Sequence, residues 1–392
     1  MCVAIWKKCS ILAHLRNMRR SAPVLYWFIV IELLFEFAGI VILPEIITKT
    51  KYLSWYLGPQ SIAATHRFLE NDAYLIPDQY SGWRNRPNVA KANWVIDARG
   101  ARTTQHLSKG PLKSERILFL GSSMVNGGTH VKNDETISGY FENADIEALN
   151  FGTMLYSMDQ CLLFYKHELY KYRAKYLVVG LDLGSIGGLK NHYIPLRARE
   201  ETNMPYIKPR YELADGKLRL IPVQPRIQLA HVPQSPQLID FLSKNDHYYD
   251  SFGGYCRMGL FPISNAVLYA FRNVSNLCNY FQHDEQSKDL LVTIMSDFVQ
   301  VARQNNASVT FIMMPGERDF SRRGLYRILP DQYSKVFHAI EARGFNVIDA
   351  RQIFLLSRHS RVELFCEDGV HYRPLANRLI AQALKDQIQK IH

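Results

Sequence analysis

The feature that most constrains the fold is the run Tyr176-Leu177-Val178-Val179-Gly180-Leu181-Asp182-Leu183, whose first six positions hold no charged residue. A strand with one wet face alternates apolar and polar residues, so a continuous apolar run points to a strand buried on both faces, as in a parallel sheet. Strand and helix alternate around it. Upstream lie a strand from Ile117 to Leu120, a helical stretch after Ser123, a short strand from Ala148 to Phe151 and a helix from about Asp159. Downstream lies a helix from Asp289 to Ala302, with Leu290, Leu291, Ile294, Phe298 and Val301 on one stripe, followed by a strand from Val309 to Met314. A helix from Gln332 to Ala342, a strand from Asn346 to Ile348 and an amphipathic helix from Pro374 to Leu384 complete the series. This rhythm predicts an α/β fold around a parallel sheet.

Two regions depart from the rhythm. Between Gly187 and about Lys288 the composition is mixed over a stretch too long for a connecting loop, which predicts an inserted subdomain. Its clearest piece is Tyr206 to Val223, where Asp215-Gly216 separates two alternating segments and predicts a β-hairpin. The insertion is either a lid or substrate wall, or an excursion that decorates the fold or forms oligomers. Residues 44–115 form an approach segment, irregular from Lys51 to Lys113, rich in Trp, Tyr, Asn and Pro, with one hairpin expected around Trp94 to Arg102 and no evident chemistry.

The N-terminus has its own logic. Lys7, Lys8, Arg16, Arg19 and Arg20 precede the first acidic residue, Glu32. Ala22 to Leu43 is apolar and aromatic, interrupted only by Glu32 and Glu36, and long enough to cross a bilayer as a helix. The expected arrangement is a basic cytoplasmic leader (1–21), a single transmembrane helix (22–43) acting as an uncleaved signal-anchor, and everything after Pro44 outside the cytoplasm. Glu32 and Glu36 share a helix face; they either pair with a membrane protein partner or sit protonated or near an interface.

The formal charge of +11 would suggest nucleic acid if it were spread over a folded surface, but the five leader charges leave +6 for the remainder, with no dense basic run. No nucleic-acid partner is expected. With 392 residues, 47% of them hydrophobic, the chain can bury one large core or two modest ones. The six cysteines, at 2, 10, 161, 256, 278 and 366, show no Cys-x-x-Cys spacing, and neither a metal site nor a cofactor is expected; Cys256 and Cys278 could bridge in an exported domain, which sequence leaves unassigned.

Chemistry enters at the ends of the domain. The strand Ile117-Leu118-Phe119-Leu120 runs into Gly121-Ser122-Ser123, and the far C-terminus offers Asp368-Gly369-Val370-His371. A serine hydroxyl becomes a competent nucleophile when an imidazole takes its proton and a carboxylate fixes that imidazole's tautomer. Asp368 and His371 are three apart, so a helical turn opening at Asp368 would put them on one face. Taken alone, the Gly-Ser-Ser stretch could equally be a simple turn.

These two blocks, in this order, resemble the first and last blocks of the SGNH, or GDSL-like, hydrolase superfamily. Ser122 stands where the family has Asp, Ser123 falls at the nucleophile, and Asp368-Gly369-Val370-His371 followed by Leu375-Ala376-Asn377-Arg378-Leu379-Ile380-Ala381 resembles the last block. The resemblance covers about Arg116 to Gln389 apart from the insertion. It implies a membrane-anchored member of that superfamily, with a flavodoxin-like three-layer α/β/α sandwich in residues 116–392 and Ser123, His371 and Asp368 as catalytic triad. The chain departs from the family twice. In the pattern Asn-x-Gly-x-x-Gly, Asn150-Phe151-Gly152-Thr153-Met154-Leu155 puts Leu at the second glycine, which matters if φ there is positive. The family's strand-ending Asn donor is also missing from Leu181-Asp182-Leu183-Gly184-Ser185, and losing such a donor costs about 3 to 4 kcal/mol of transition-state stabilisation.

The resemblance implies an oxyanion held by the N–H groups of Ser123 and of the Gly152 to Leu155 loop, with Ser185 or Asn191 replacing the missing donor. Asp182, at the end of a buried strand, would tune His371, repel an anionic substrate, or cap the following turn. Asn126 and His130 are placed either in the pocket or on the surface. The expected activity is ester hydrolysis or O-acyl transfer on a cell-envelope or exported polysaccharide, outside a bacterial cytoplasmic membrane. The alternative is an impaired SGNH-fold binding or assembly component. A nucleotide-binding fold is excluded by the lack of Gly-x-Gly-x-x-Gly and Walker loops.

Overall fold

The computed structural model describes residues 74–91, 93–104, 115–143, 145–194, 206–223, 236–249, 285–322, 327 and 331–391, together with Trp27, Val30, Ile31 and Leu34. The chain divides into two compact units, Met1–Tyr56 with Asp250–Val274, and Leu57–Tyr249 with Ser275–His392. Of the first unit only those four N-terminal residues are described, all helical, with Trp27, Ile31 and Leu34 exposed. The expected span 22–43 otherwise lies outside the described residues, as do Cys256 and Cys278. Among the described residues no helix is long and apolar enough to cross a membrane.

The second unit is built on five parallel strands. These are β5 (Glu115–Leu120), β6 (Ile146–Asn150), β7 (Tyr176–Leu181), β10 (Ser308–Met313) and β11 (Val347–Asp349), in the spatial order β11-β10-β7-β5-β6. In the order of the chain this reads 2-1-3-4-5 from the β6 edge, and the direction of winding reverses between β5 and β7. Every residue of β7 is buried, as the uninterrupted apolar run predicts. Alternate strand residues feed two separate cores. Leu118, Leu120, Leu177, Val179, Phe311 and Met313 pack with the helices Met158–His167 (α2), Glu285–Gln304 (α5) and Gln332–Glu341 (α7). Ile117, Phe119, Tyr176, Val178 and Ile312 pack with Ser123–Asn126 (α1), Ala350–Ser357 (α8) and Pro374–Ile391 (α10). The result is a three-layer α/β/α arrangement.

Three expectations need correction. The helical stretch after Ser123 is a single turn, because Gly127 and Gly128 adopt φ of +85° and +55° and stop it. Asp368 to His371 is a tight turn rather than a helix, with Gly369 at φ +69°. The hairpin expected at Trp94 to Arg102 forms only as one antiparallel bridge, Ile96 to Arg102; the ladder lies earlier, pairing β3 (Val89–Lys91) with β4 (Trp94–Ile96), and Arg102 also bridges to Asn150 at the β6 edge of the sheet.

The approach segment is also more than an approach. It adds a second hairpin, β1 (Leu75–Asp78) with β2 (Gly82–Asn85), and buries Leu75, Trp83, Trp94 and Ile96 in the second unit. The insertion contains the expected hairpin, β8 (Arg210–Ala214) and β9 (Lys217–Ile221), turning through Asp215 and Gly216 at positive φ. It is fastened to α2 by a fully buried ion pair, Lys208 Nζ to Asp159 Oδ2 at 2.6 Å. Burial lowers the Lys208 pKa, and the Asp159 charge opposes that shift.

Candidate active site

In open α/β sheets the crevice beyond the carboxyl ends of the strands, where the winding reverses, is the natural ligand site. Here that crevice is bounded by Gly121-Ser122-Ser123 after β5 and Asp182 after β7. Gly121 has φ +150°, and a Cβ there would lie 2.5 Å from Val125 Cγ2 and 2.9 Å from the Gly180 carbonyl oxygen. A Cβ on Gly180 would in turn lie 2.3 Å from Val125 Cγ2, so paired glycines let the Ser122-Ser123 turn close tightly over β7.

Ser122 caps α1 and donates its hydroxyl to Asp182 Oδ2 at 2.9 Å, joining the two sides of the switch point. Asp182 is also the N-cap of the next helix, Leu183–Gly187 (α3): its Oδ1 accepts from Ser185 N at 2.8 Å. Both of its oxygens therefore hold local structure. Ser185 Oγ accepts from Asp182 N (3.0 Å) and donates to the Asp182 carbonyl (2.7 Å), which commits its proton. Asn191 is fully buried, donating to Tyr193 O and Asp246 Oδ2 inside the insertion.

The loop after β6 is held from several sides. Gly152 N–H donates to Asn150 Oδ1 at 2.9 Å, and the Gly152 carbonyl accepts from Asn126 Nδ2 (2.7 Å) and Asn85 Nδ2 (3.0 Å). A Cβ on Gly152 would meet Asn126 N at 2.5 Å, so only glycine lets this loop lie against α1. Leu155, at the position of the second glycine, adopts φ +62°, a left-handed conformation that costs a side chain about 1 to 2 kcal/mol. Trp83 Nε1 anchors the same loop at Met154 O, 2.9 Å away. Asn126 is buried and supports the site without lining it, accepting from Trp94 Nε1 at 3.1 Å.

The serine side is completed by Arg102, which is almost entirely buried. Its guanidinium spends all its donors on one loop and its neighbours: Nε on Asn133 Oδ1, Nη1 on Asn126 O and Gly128 O, and Nη2 on Asn93 O and Val131 O. Burial lowers its pKa to about 10, opposed by the Glu135 charge. Sequence reasoning missed Arg102 as a site determinant, since nothing near it in the chain announces that its donors converge on residues 126–133.

The imidazole side is a turn. Asp368 Oδ1 accepts from the N–H groups of Val370 and His371, each at 2.9 Å, while Oδ2 lies 2.6 Å from His371 Nδ1. Burial raises the Asp368 pKa, but hydrogen bonds from the His371 side chain and from the His371 and Val370 backbone outweigh it and hold the group down at about 2. A bond from Glu317 N to the Gly369 carbonyl (2.8 Å) docks this turn on the loop after β10.

His371 Nε2 is buried and has no hydrogen-bond partner among the described residues. It faces Gly128, where a Cβ would stand 3.6 Å from both Nε2 and Cδ2. Gly128 belongs to the loop that closes α1, and Gly127 N bonds back to Ser123 O at 2.8 Å. The fold thus brings the loop that follows Ser123 against His371; among the described residues no hydrogen bond joins Ser123 to the imidazole. His130 is exposed and belongs to this cluster: its Nε2 is 3.1 Å from Asp368 Oδ2 and its ring stacks on His371 at 4.7 Å.

No protein-family model and no curated protein matches the chain. Solved structures do align with it. A variant of the acetyl-xylooligosaccharide esterase Axe2 from Geobacillus stearothermophilus aligns at 12% identity, covering 70% of this chain and 94% of that one, with a TM-score of 0.36. A putative acylhydrolase from Bacteroides fragilis aligns at 11% identity over 73% of this chain and 91% of that one, with a TM-score of 0.35. The structure of TesA aligns at 10% identity, 71% and 100% coverage, and a TM-score of 0.35.

Proposed function

We propose that the chain is a serine-dependent ester hydrolase or O-acyltransferase with Ser123 as nucleophile, His371 as base and Asp368 as the group that orients it. One observation carries this reading: His371 has Nδ1 bonded to Asp368 at 2.6 Å while Nε2, beside the loop that closes the Ser123 turn, has no hydrogen-bond partner among the described residues. An imidazole whose Nδ1 proton is held by a carboxylate presents a lone pair at Nε2, the arrangement a general base needs. Ser123 Oγ attacks the acyl carbonyl as Nε2 takes its proton; the proton passes to the leaving alcohol, and an acyl-enzyme remains. Water then gives hydrolysis, and a sugar hydroxyl gives transfer.

The oxyanion would be met by the Ser123 N–H at the start of α1 and by the 152–155 loop through Leu155 N–H, because Gly152 N–H is already donated to Asn150. The substrate we assign is an acylated cell-envelope or exported polysaccharide, with the enzyme anchored by residues 22–43 and the α/β unit outside the cytoplasmic membrane of a bacterium. The apolar 22–43 stretch and the basic leader support that topology.

A second reading, an impaired binding or assembly component on the same fold, is favoured by the engaged donors of Gly152 and Ser185. Acetate release from acetylated glycan and from an aryl acetate separates the two. The enzyme reading predicts turnover by the full chain that falls about a thousandfold or more in Ser123→Ala and in His371→Ala. Equal release by wild type and Ser123→Ala, or none from a folded wild type, hands the case to the binding reading.

A further inference from the structure

We infer that His130, Asp368 and His371 form a binding site for a divalent transition cation of borderline softness, such as zinc, whose occupancy switches off the base beside Ser123. The switching clause rests on the functional reading above; the cation site does not.

Two imidazoles converge on one carboxylate oxygen, with Asp368 Oδ2 2.6 Å from His371 Nδ1 and 3.1 Å from His130 Nε2. One ligand atom from each residue lies within 4.8 Å of the others. Tetrahedral zinc with bonds of about 2.0 to 2.2 Å separates its ligand atoms by roughly 3.3 Å, so small rotations of His130 and Asp368 would admit it. Two histidines and one carboxylate with an open fourth position suit zinc and its neighbours, whereas magnesium and calcium prefer all-oxygen shells.

The surroundings resemble a built site more than a chance meeting of surface groups. Asp368 Oδ1 is fixed by two backbone N–H groups, leaving Oδ2 to the imidazoles. The loop carrying His130 is pinned on both sides of that residue by Arg102, through the carbonyls of Gly128 and Val131. Gly128 supplies the positive φ, +55°, with which this loop meets His371. His130 and Asp368 keep 37% and 34% of their side-chain surfaces, which leaves a path for a cation.

The switch follows from proton accounting. A carboxylate only accepts, so beside Asp368 at 2.6 Å His371 Nδ1 is the donor, and the neutral form of the ring has its lone pair on Nε2. A cation bound at Nδ1 displaces that proton, which moves to Nε2. His130 in the same way moves its proton from Nε2 to Nδ1. No proton is lost overall, yet Nε2 of His371 can no longer accept one from Ser123. Sequence spacing hides the set, because His130 is supplied by the first block of the domain and the other two ligands by the last.

Calorimetric titration of the chelator-stripped full chain with zinc chloride tests the site. The expected result is one cation per chain, with affinity falling about tenfold or more in His130→Asn and in Asp368→Asn. His359→Asn, which removes a half-buried histidine whose ring meets Glu363, should bind as wild type does. Wild-type affinity in His130→Asn, or no uptake by the folded wild type at about millimolar zinc, overturns the site. Fluorophosphonate labelling repeated across the titration reads the switch, and it should fall with the midpoint found by calorimetry. Labelling unchanged at saturating zinc overturns the switch alone. Absent labelling in metal-free protein overturns the switch together with the serine reading and leaves the calorimetric result standing.

Discussion

The Ser123 side and the His371 side of this candidate site are built to different standards of rigidity. Ser123 stands on a one-turn helix clamped by buried groups: Asn126 to Gly152, Trp94 to Asn126, and Arg102 to four carbonyls and Asn133. His371 stands on an exposed turn held by the Asp368 side chain and by a few backbone bonds, chiefly Cys366 N to His371 O and Glu317 N to Gly369 O. The buried clamp fixes where Ser123 stands. The exposed turn leaves the side chains of Asp368 and its neighbour His130 open to solvent and cations, while His371 Nε2 itself is buried.

The largest effects should therefore fall on the buried clamps. Arg102→Met would take the guanidinium from four carbonyls, those of Asn126 and Val131 in buried bonds, and leave Asn133 Oδ1 with Val95 N–H alone, and it should cost about 3 to 5 kcal/mol in urea denaturation. A loss under about 1 kcal/mol would show that the loop does not depend on this guanidinium. Lys208→Met should cost a similar amount by stranding the buried Asp159, whereas replacing both partners with apolar residues should recover most of it.

Asp319 gives an intermediate effect with a definite pH dependence. Burial pushes its pKa up to about 6, with the Gly316 N–H opposing and the nearby Asp182 charge adding to the rise. An acid with a raised folded pKa stabilises the fold least once pH has climbed through that value. Asp319→Asn should thus stabilise on the order of 1 to 2 kcal/mol more at pH 8 than at pH 4. A pH-independent difference would contradict the assignment.

The exposed turn should respond in the opposite sense and more weakly. Asp368, held down at about 2, contributes stability above the unfolded carboxylate range, and that contribution fades as pH falls from about 4 toward 2. Asp368→Asn should flatten the acid limb of a thermal-melt profile and change the plateau little. The smallest effect is expected at Leu155, where Leu155→Gly relieves the left-handed strain and gives up partial packing, leaving a net change within about 1 kcal/mol.

Much of the α/β framework was legible because its signals are local. The apolar run 176–181 announces a doubly buried strand, Asp215-Gly216 announces its hairpin, and the helix stripes fall where the 3.6-residue period puts them. The membership of the site was less legible. Asp368 and His371 were singled out by spacing, but the contact between them is a tight side-chain-capped turn, because Gly369 turns the chain where a helix would have continued.

The clamps were invisible for a physical reason. Arg102, Trp83, Asn85 and Asn126 act across long stretches of sequence on backbone carbonyls, which carry no sequence signature. His130 was noted only for its nearness to Ser123, and its meeting with Asp368 depends on the two glycines that end α1 after one turn.

The central claim is that His371 and Asp368 activate Ser123. Fluorophosphonate labelling of the full chain, with the adduct located by peptide mass spectrometry, tests it most directly. The account predicts one adduct, on Ser123, that is lost in His371→Ala and strongly slowed in Asp368→Asn, with both variants folded by circular dichroism. An adduct on another serine, or labelling of Ser123 that is indifferent to His371, would contradict it.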